Sequence, residues 1–242
     1  MDNIGGKKMD ETNLKEIKTT AKMLLYLEPK SHPIIPTVIS HPFFKNQIFV
    51  YEENGKNVFI DLSQKENLAK ARKIISEKID SATDIFYLLY MLNSPYYPAF
   101  LKYTYDDMSV QDMSKTLSNV WLLTEFPNHD ANLSKTEFLK LFSAADKTVL
   151  MDKNDFSFFE RLPDKIKVYR GTKHEDYKAL SWTLNKKKAI WFSERFLKDG
   201  EKGNVFEAEI EKKDCFAYFN SRSEKEIVLN YKKLKNIKKI EF

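Results

Sequence analysis

The chain has 242 residues, 42% of them hydrophobic and 14% aromatic, with 18 Phe and 12 Tyr, which is enough to bury a core and too aromatic for a disordered polymer. Only eight Pro and six Gly occur, which excludes a linker-rich or fibrous chain. The net charge of +5 is uneven: residues 161–242 hold 21 Lys and Arg against 13 Asp and Glu, a net of +8, leaving −3 for residues 1–160, so the C-terminal third is expected to attract an anionic ligand.

Residues 1–9 read as a flexible leader without an apolar stretch, so no secretory signal is expected. A helix is predicted from Asn13 to Leu27, capped by Thr12, with Leu14, Ile17, Ala21, Leu24 and Leu25 at helical spacing and Pro29 as its stop. His32 to Phe44 is extended and punctuated by proline. Two alternating segments, Gln47–Glu53 and Lys56–Leu62, flank Asn54-Gly55, a dipeptide suited to the positive φ values of a type I′ turn; a β-hairpin follows. Helices are then predicted over Lys65–Ile79, Ala82–Leu92, Val110–Glu125 and Lys135–Ala144, with a short one around Asp155–Arg161. Ser134 and Glu137 form a capping-box signature for the fourth. The aromatic cluster Tyr96, Tyr97, Phe100, Tyr103 and Tyr105 reads as core rather than as a base-stacking surface.

After Pro163-Asp164 short strands take over: Ile166–Arg170, Ala179–Thr183, a helix over Lys186–Leu197, then Val205–Ile210, Asp214–Tyr218, Ile227–Leu229 and Ile237–Phe242. The fold class is therefore α+β. Residues 1–160 are expected to be a mostly helical region with a β-hairpin, and 161–242 a strand-rich unit.

Many common chemistries find no support. The longest apolar run, Ile85–Leu92, is far short of the roughly 20 residues that span a bilayer. A single cysteine, Cys215, offers no internal disulfide and, lying in a predicted strand, reads as packing; a reducing cytoplasm is the expected compartment. His32, His41, His129 and His174 stand apart, so no metal site is proposed. The glycines fit neither a Rossmann fingerprint nor a P-loop, and no G-x-S-x-G occurs.

Three motifs in order remain: Tyr169-Arg170-Gly171, Ser181-Trp182-Thr183 and Glu224-Lys225-Glu226. Arg170 ends a strand, and its guanidinium suits bidentate binding of a phosphate or ribose oxygen, while Gly171 leaves room for a ligand to approach the backbone. Ser181 and Thr183 alternate with Trp182, placing both hydroxyls on one face. Glu224 and Glu226, if extended, share a face about 7 Å apart, so one carboxylate can serve an electrophile and the other a nucleophile. Each motif alone reads as ordinary strand chemistry, with Arg222 and Lys225 as partners for the glutamates.

Together, and with the flanks Leu180–Thr183 running into Ala189–Phe196 and Ala217–Ser223 leading into Glu224, they resemble the R-S-E class of mono-ADP-ribosyltransferases, in the compact form found in bacteria and phages. The resemblance covers about residues 165–232. The middle motif departs from it, reading Ser-Trp-Thr for Ser-Thr-Ser. It implies a catalytic core over 161–242 with a split β-sheet of the ADP-ribosyltransferase type and NAD+ as co-substrate without a metal. Arg170 would anchor the NAD phosphates or adjoining ribose. Ser181 would orient Glu226, and Glu226 would bind the 2′-hydroxyl of the nicotinamide ribose and stabilise the oxocarbenium-like transition state. Glu224 would orient or deprotonate the acceptor. Gly171, Trp182, Thr183 and Phe192 join the cofactor-binding set, and Phe219 and Asn220 the acceptor-binding set.

The resemblance further implies a macromolecular acceptor, protein arginine by default with nucleic acid as the other class. The setting would be a toxin-like effector acting in a host cytoplasm, with an antitoxin as a candidate partner. Region 1–160 would recognise the target or support the site. NAD glycohydrolysis, or a non-catalytic protein- or nucleic-acid-binding module on a decayed transferase fold, are the alternatives.

Overall fold

A computed structural model describes residues 10–35, 37–173 and 176–242; the expected leader over 1–9 and His174 lie outside the described residues. The chain is α+β and divides into two compact units, one ending at Glu125 and one starting at Phe126. No helix among the described residues is long and apolar enough to cross a membrane.

The first unit is built from α1 (Leu14–Leu25), the short pair β1 (Lys30–Ser31) and β2 (Ile39–Ser40), the hairpin β3 (Ile48–Glu53) and β4 (Lys56–Asp61), and four helices, α2 (Lys65–Ser81), α3 (Ile85–Met91), α4 (Tyr97–Thr104) and α5 (Val110–Leu123). The hairpin is the expected one: Asn54 and Gly55 have φ of 52° and 74°, as a type I′ turn requires. Asn13, not Thr12, caps α1 by accepting from the Glu16 amide at 3.4 Å. Thr12 instead accepts from the Ser109 amide at 2.9 Å and hydrogen-bonds Asp112, so its hydroxyl serves the start of α5. Helix α4 is absent from the sequence-based expectation; it tolerates Pro98 because the proline sits in its first turn, where a missing amide costs nothing. The core takes one face from each helix: Ile17 and Leu25, Ile75 and Ile79, Leu88 and Leu89, Phe100 and Leu101, Leu117 and Trp121. Of the aromatic cluster, Tyr97 and Phe100 are buried as expected, whereas Tyr103 is exposed.

The second unit begins earlier than the 160/161 boundary expected from composition, because the helices before that point pack on its sheet. These are α6 (Lys135–Ala144), α7 (Lys147–Leu150) and α8 (Lys153–Glu160). The capping box at Ser134 and Glu137 forms as predicted. The sheet contains β5 (Lys165–Thr172), β6 (Ser181–Thr183), β7 (Asn204–Glu211), β8 (Cys215–Phe219), β9 (Glu226–Leu229) and β10 (Lys235–Ile240). Helix α9 (Lys186–Glu194) lies between β6 and β7 in the chain, with Asn185 capping it through the Lys187 and Lys188 amides.

All six strands form one antiparallel sheet in the order β10-β7-β5-β6-β9-β8, rather than the two halves expected of a split sheet. The junction is nevertheless narrow. β5 and β6 pair at a single position, Tyr169 with Thr183, whereas all three residues of β6 pair with β9. One sheet face buries Ile166, Val168, Ala208 and Ile210. On the charged side, Glu207 takes Lys167 and Lys238, and Glu211 takes Lys213 and Lys235. Lys235 and Lys238 of the basic C-terminal segment are thus partly neutralised within the sheet.

A buried histidine should make the first unit sensitive to acid. His41 is 1% exposed and stacks on Phe44 at 4.6 Å. Its Nδ1 accepts from the Phe43 amide at 3.1 Å and its Nε2 faces the Leu27 carbonyl at 3.1 Å, which together select one neutral tautomer. Burial, aided by nearby Arg72 and opposed by the backbone carbonyls and Glu28, lowers its pKa from 6.5 to about 4. The unfolded chain therefore binds this proton first as pH falls. Stability should be complete above pH 6.5 and decline between pH 6.5 and about 4, by roughly 3 kcal/mol in all. Urea denaturation across this range should show that slope in the wild type and lose it in His41→Gln; an identical slope in both proteins would assign it to other groups.

Candidate active site

Strand register decides which side chains meet. Directly opposed residues in an antiparallel pair point to the same face, so Thr183, Glu226 and Phe219, aligned across β6, β9 and β8, share one. Ser181 lies two residues from Thr183, on the same face and diagonal to Glu226. Its hydroxyl donates to Glu226 Oε1 at 2.5 Å. Glu226 is 5% exposed, at the start of a strand hydrogen-bonded on both sides. An uncompensated carboxylate there would be costly; a charge-assisted hydrogen bond of this kind contributes about 1.5–3 kcal/mol.

Arg170 completes the chain of contacts from the other strand. Its Nη1 donates to the Ser181 carbonyl at 2.8 Å and its Nε to the Asp176 carbonyl at 3.3 Å. The guanidinium thus holds the backbone of the residue whose hydroxyl holds Glu226. Desolvation lowers the Arg170 pKa from 12.5 to about 10, against the opposing pull of Asp176 and Glu226, so the group stays cationic at neutral pH. Nη2 takes part in neither bond. The bidentate grip expected of a free guanidinium is narrowed accordingly. Asp176 itself is desolvated, which raises its pKa, but the Lys178 amide and Lys135 hold it below the ordinary carboxylate value.

A shallow concavity, open to solvent, lies at the narrow junction of β5 and β6. Arg170, Gly171, Ser181, Trp182, Thr183, Phe192, Glu224 and Glu226, all named from the sequence, line it together with Tyr169. Phe219 and Asn220 do not. Phe219 is buried at the end of β8, and Asn220 is exposed in the following turn.

Several of the lining residues hold the frame rather than offering free groups. Trp182 is 2% exposed and donates its indole N–H to the Ala179 carbonyl at 3.0 Å. Thr183 donates to the Glu224 carbonyl at 2.6 Å and accepts from the Asn185 amide, so its hydroxyl joins the Glu224 turn to the start of α9. Gly171 departs most from expectation. A Cβ there would stand 1.6 Å from the Ala189 carbonyl oxygen, so its open side is filled by the backbone of α9, not kept for a ligand. Gly203 does the same beneath Ser193, where a Cβ would lie 2.2 Å from that carbonyl oxygen. Two glycines therefore seat α9 on the sheet and bring Phe192 to the pocket.

Glu224-Lys225-Glu226 is not extended. Ser223 and Lys225 have φ of 53° and 48°, so the chain twists on either side of Glu224 and the strand begins only at Glu226. Left-handed backbone costs a non-glycine residue about 1–2 kcal/mol. The compensation comes from Asn220, whose carbonyl accepts from Ser223 at 2.8 Å and whose side chain accepts from Lys225 at 3.2 Å. Asp155 anchors the Asn220 amide at 3.1 Å, and Leu184 donates to the Lys225 carbonyl at 3.0 Å. Folded this way, the turn carries Arg222 across both glutamates: its Nε is 3.5 Å from Glu224 Oε2 and its Nη2 3.7 Å from Glu226 Oε2. Arg222 is 44% exposed, so these pairs are partly screened, and the Asn220 bonds support the turn beside them. In the sequence Arg222 reads only as a generic partner for the glutamates. Asp155 and Asp176 carry no sequence signal at all, because one acts on Asn220 and the other pairs with Lys135, each distant in the chain.

Outside this pocket the chemistry is sparse. Cys215 is buried and its thiol is pushed up to about 12 by desolvation, so it is no nucleophile. No group of three or more His, Cys, Asp or Glu that could hold a metal occurs among the described residues.

Gly171→Ala tests the seating of α9. The added methyl must displace the helix, with an expected loss of about 1–3 kcal/mol or more in denaturant unfolding and faster amide exchange across α9. Unchanged stability and exchange would show that the helix does not rest on this glycine. Compared with protein-family models, with curated proteins and with solved structures, the chain has no match.

Proposed function

We propose that the second unit is an NAD-dependent mono-ADP-ribosyltransferase core and that the pocket at the β5–β6 junction takes the nicotinamide-ribose end of NAD+. The observation that carries the reading is the bond from Ser181 Oγ to the buried Glu226 carboxylate, in a pocket that also holds Arg170 and Glu224. The enclosed space is only about 30 Å³, so the nicotinamide-ribose end would sit across the open mouth of the concavity rather than within a closed cavity. The remaining nucleotide would lie over more open surface, with Arg170 Nη2 as the cation nearest its phosphates or ribose.

In this reading each residue has one task. Glu226 accepts from the ribose 2′-hydroxyl and faces the positive charge that develops on the sugar as nicotinamide leaves. Ser181 fixes the carboxylate so that little reorganisation is needed as that charge forms. Arg170 keeps Ser181 in place through its carbonyl. Glu224, set apart by the left-handed turn, orients the acceptor and takes its proton. The acceptor class that best fits two carboxylates beside a cation is a protein arginine. A nucleic-acid acceptor draws less support, because Lys235 and Lys238 are already paired with Glu211 and Glu207.

Incubating the full-length protein with NAD+ and cell extract, then resolving products by mass spectrometry, tests the proposal. Wild type should release nicotinamide and transfer ADP-ribose to protein. Glu226→Gln should lower the rate by about 10²–10³, the usual cost of one electrostatic stabiliser. Transfer that is undiminished in Glu226→Gln, or no nicotinamide release by the wild type, would refute it. Free ADP-ribose without any labelled macromolecule would assign water as the acceptor.

A further inference from the structure

We propose that β3 of the first unit pairs antiparallel with β3 of a second copy of this chain, joining two hairpins into one sheet across a two-fold axis. The hairpin is a sheet of two strands, so β3 has β4 as its one strand partner among the described residues. Hydrogen bonding in such a pair alternates from the turn, where Glu53 and Lys56 close it. Tyr51 and Phe49 therefore turn their amides and carbonyls towards β4, as Gln47 does in accepting from the Leu62 amide at 2.8 Å. Ile48, Val50 and Glu52 turn theirs the other way, along the open edge.

That edge lacks the features that normally block association. Edge strands are commonly blunted by lysine, proline or a bulge. Ile48-Phe49-Val50-Tyr51 contains no lysine or proline, and its register with β4 is unbroken. Ile48 and Val50 are 49% and 46% exposed, and Phe59, opposite Val50 on the same face, is 66% exposed. An open groove lined by Ile48, Phe49 and Val50, together with Tyr90 and Met91 of α3, lies against this strand. A hairpin of two strands is marginal by itself and gains stability from further strands.

The charges along β3 make a copy of itself the fitting partner. Lys45 lies exposed before the strand, and Glu52 and Glu53 lie exposed at its end. An antiparallel copy reverses this order, so each basic end meets an acidic one. One register satisfies the edge bonds and the charges together. It sets Ile48 opposite Val50 of the copy, Phe49 opposite its counterpart at the axis, Asn46 opposite Glu52 and Lys45 opposite Glu53. A register shifted by two residues would set apolar Ile48 opposite Glu52 and leave Lys45 opposite Gly55. Glu53 also meets Lys70 at 3.4 Å, an exposed pair that leaves its carboxylate open to a second cation. The pairing concerns the first unit alone and does not depend on the transferase reading.

Sedimentation velocity of the full-length protein over a range of concentrations tests the pairing, with amide exchange as the local readout. The wild type should dimerise reversibly, and the Ile48 and Val50 amides should gain protection as the dimer forms. Val50→Lys, checked for folding by its thermal melt, should weaken dimerisation by at least about tenfold. Lys45→Glu and Glu53→Lys each place like charges opposite one another in their homodimers and should weaken association in the same direction. Mixed together, these two variants regain opposite charges at both ends and should associate with each other about as well as the wild type. A protein that stays monomeric, with exchange at Ile48 and Val50 independent of concentration, would overturn the proposal. So would a dimer indifferent to Val50→Lys, which must form through another surface. A dimer lost in Val50→Lys but not rebuilt by mixing the two charge variants would overturn the antiparallel register.

Discussion

A carboxylate buried in a β-sheet must be hydrogen-bonded or paired, and Glu226 meets that demand through a series of contacts that reaches across the sheet. Its backbone is fixed between β6 and β8, and one oxygen receives the Ser181 hydroxyl. Ser181 in turn is held through its carbonyl by Arg170 from the neighbouring strand. Three residues far apart in the chain thus form one hydrogen-bonded series across the narrowest junction of the sheet. Removing any of them would leave a charged or polar group facing a poorly solvated space, so the three are expected to act as a unit.

The scaffolding around that series is made of small residues and clasps, not of extra catalytic groups. Gly171 and Gly203 let α9 rest directly on strand backbone, and Thr183 ties the glutamate turn to the approach of that helix. Asn220 and Asp155 hold two left-handed residues in place, so that Glu224 sits off the strand while Glu226 sits on it. The two carboxylates therefore differ in environment: one is enclosed in the sheet and the other is carried by an exposed turn. The separate roles proposed for the two rest on that difference.

Local features are legible in the sequence because their causes are local. Asn54-Gly55 specifies its turn by φ alone, and Ser134 with Glu137 specifies a helix start by two short hydrogen bonds. Arg170, Ser181 and Glu226 can be picked out because three motifs occur in a recognisable order, and the pocket gathers them. The purpose of Gly171 is not legible, since only the crossing of α9 shows what fills the space above it. The extended form expected for Glu224 and Glu226 fails at Lys225, whose positive φ is imposed by Asn220 rather than by its own preference. The boundary between units shifts for a similar reason: helices α6 to α8 resemble those before them in composition and differ only in what they pack against.

Ser181 is proposed to act through Glu226, and a double-mutant cycle measures that dependence. Nicotinamide release would be compared in wild type, Ser181→Ala, Glu226→Gln and the double variant, all shown to be folded. If the hydroxyl matters only by positioning the carboxylate, the double variant should be no slower than Glu226→Gln alone. Losses that multiply would mean that Ser181 and Glu226 act independently, and the hydrogen-bonded series from Arg170 would not be the basis of the site.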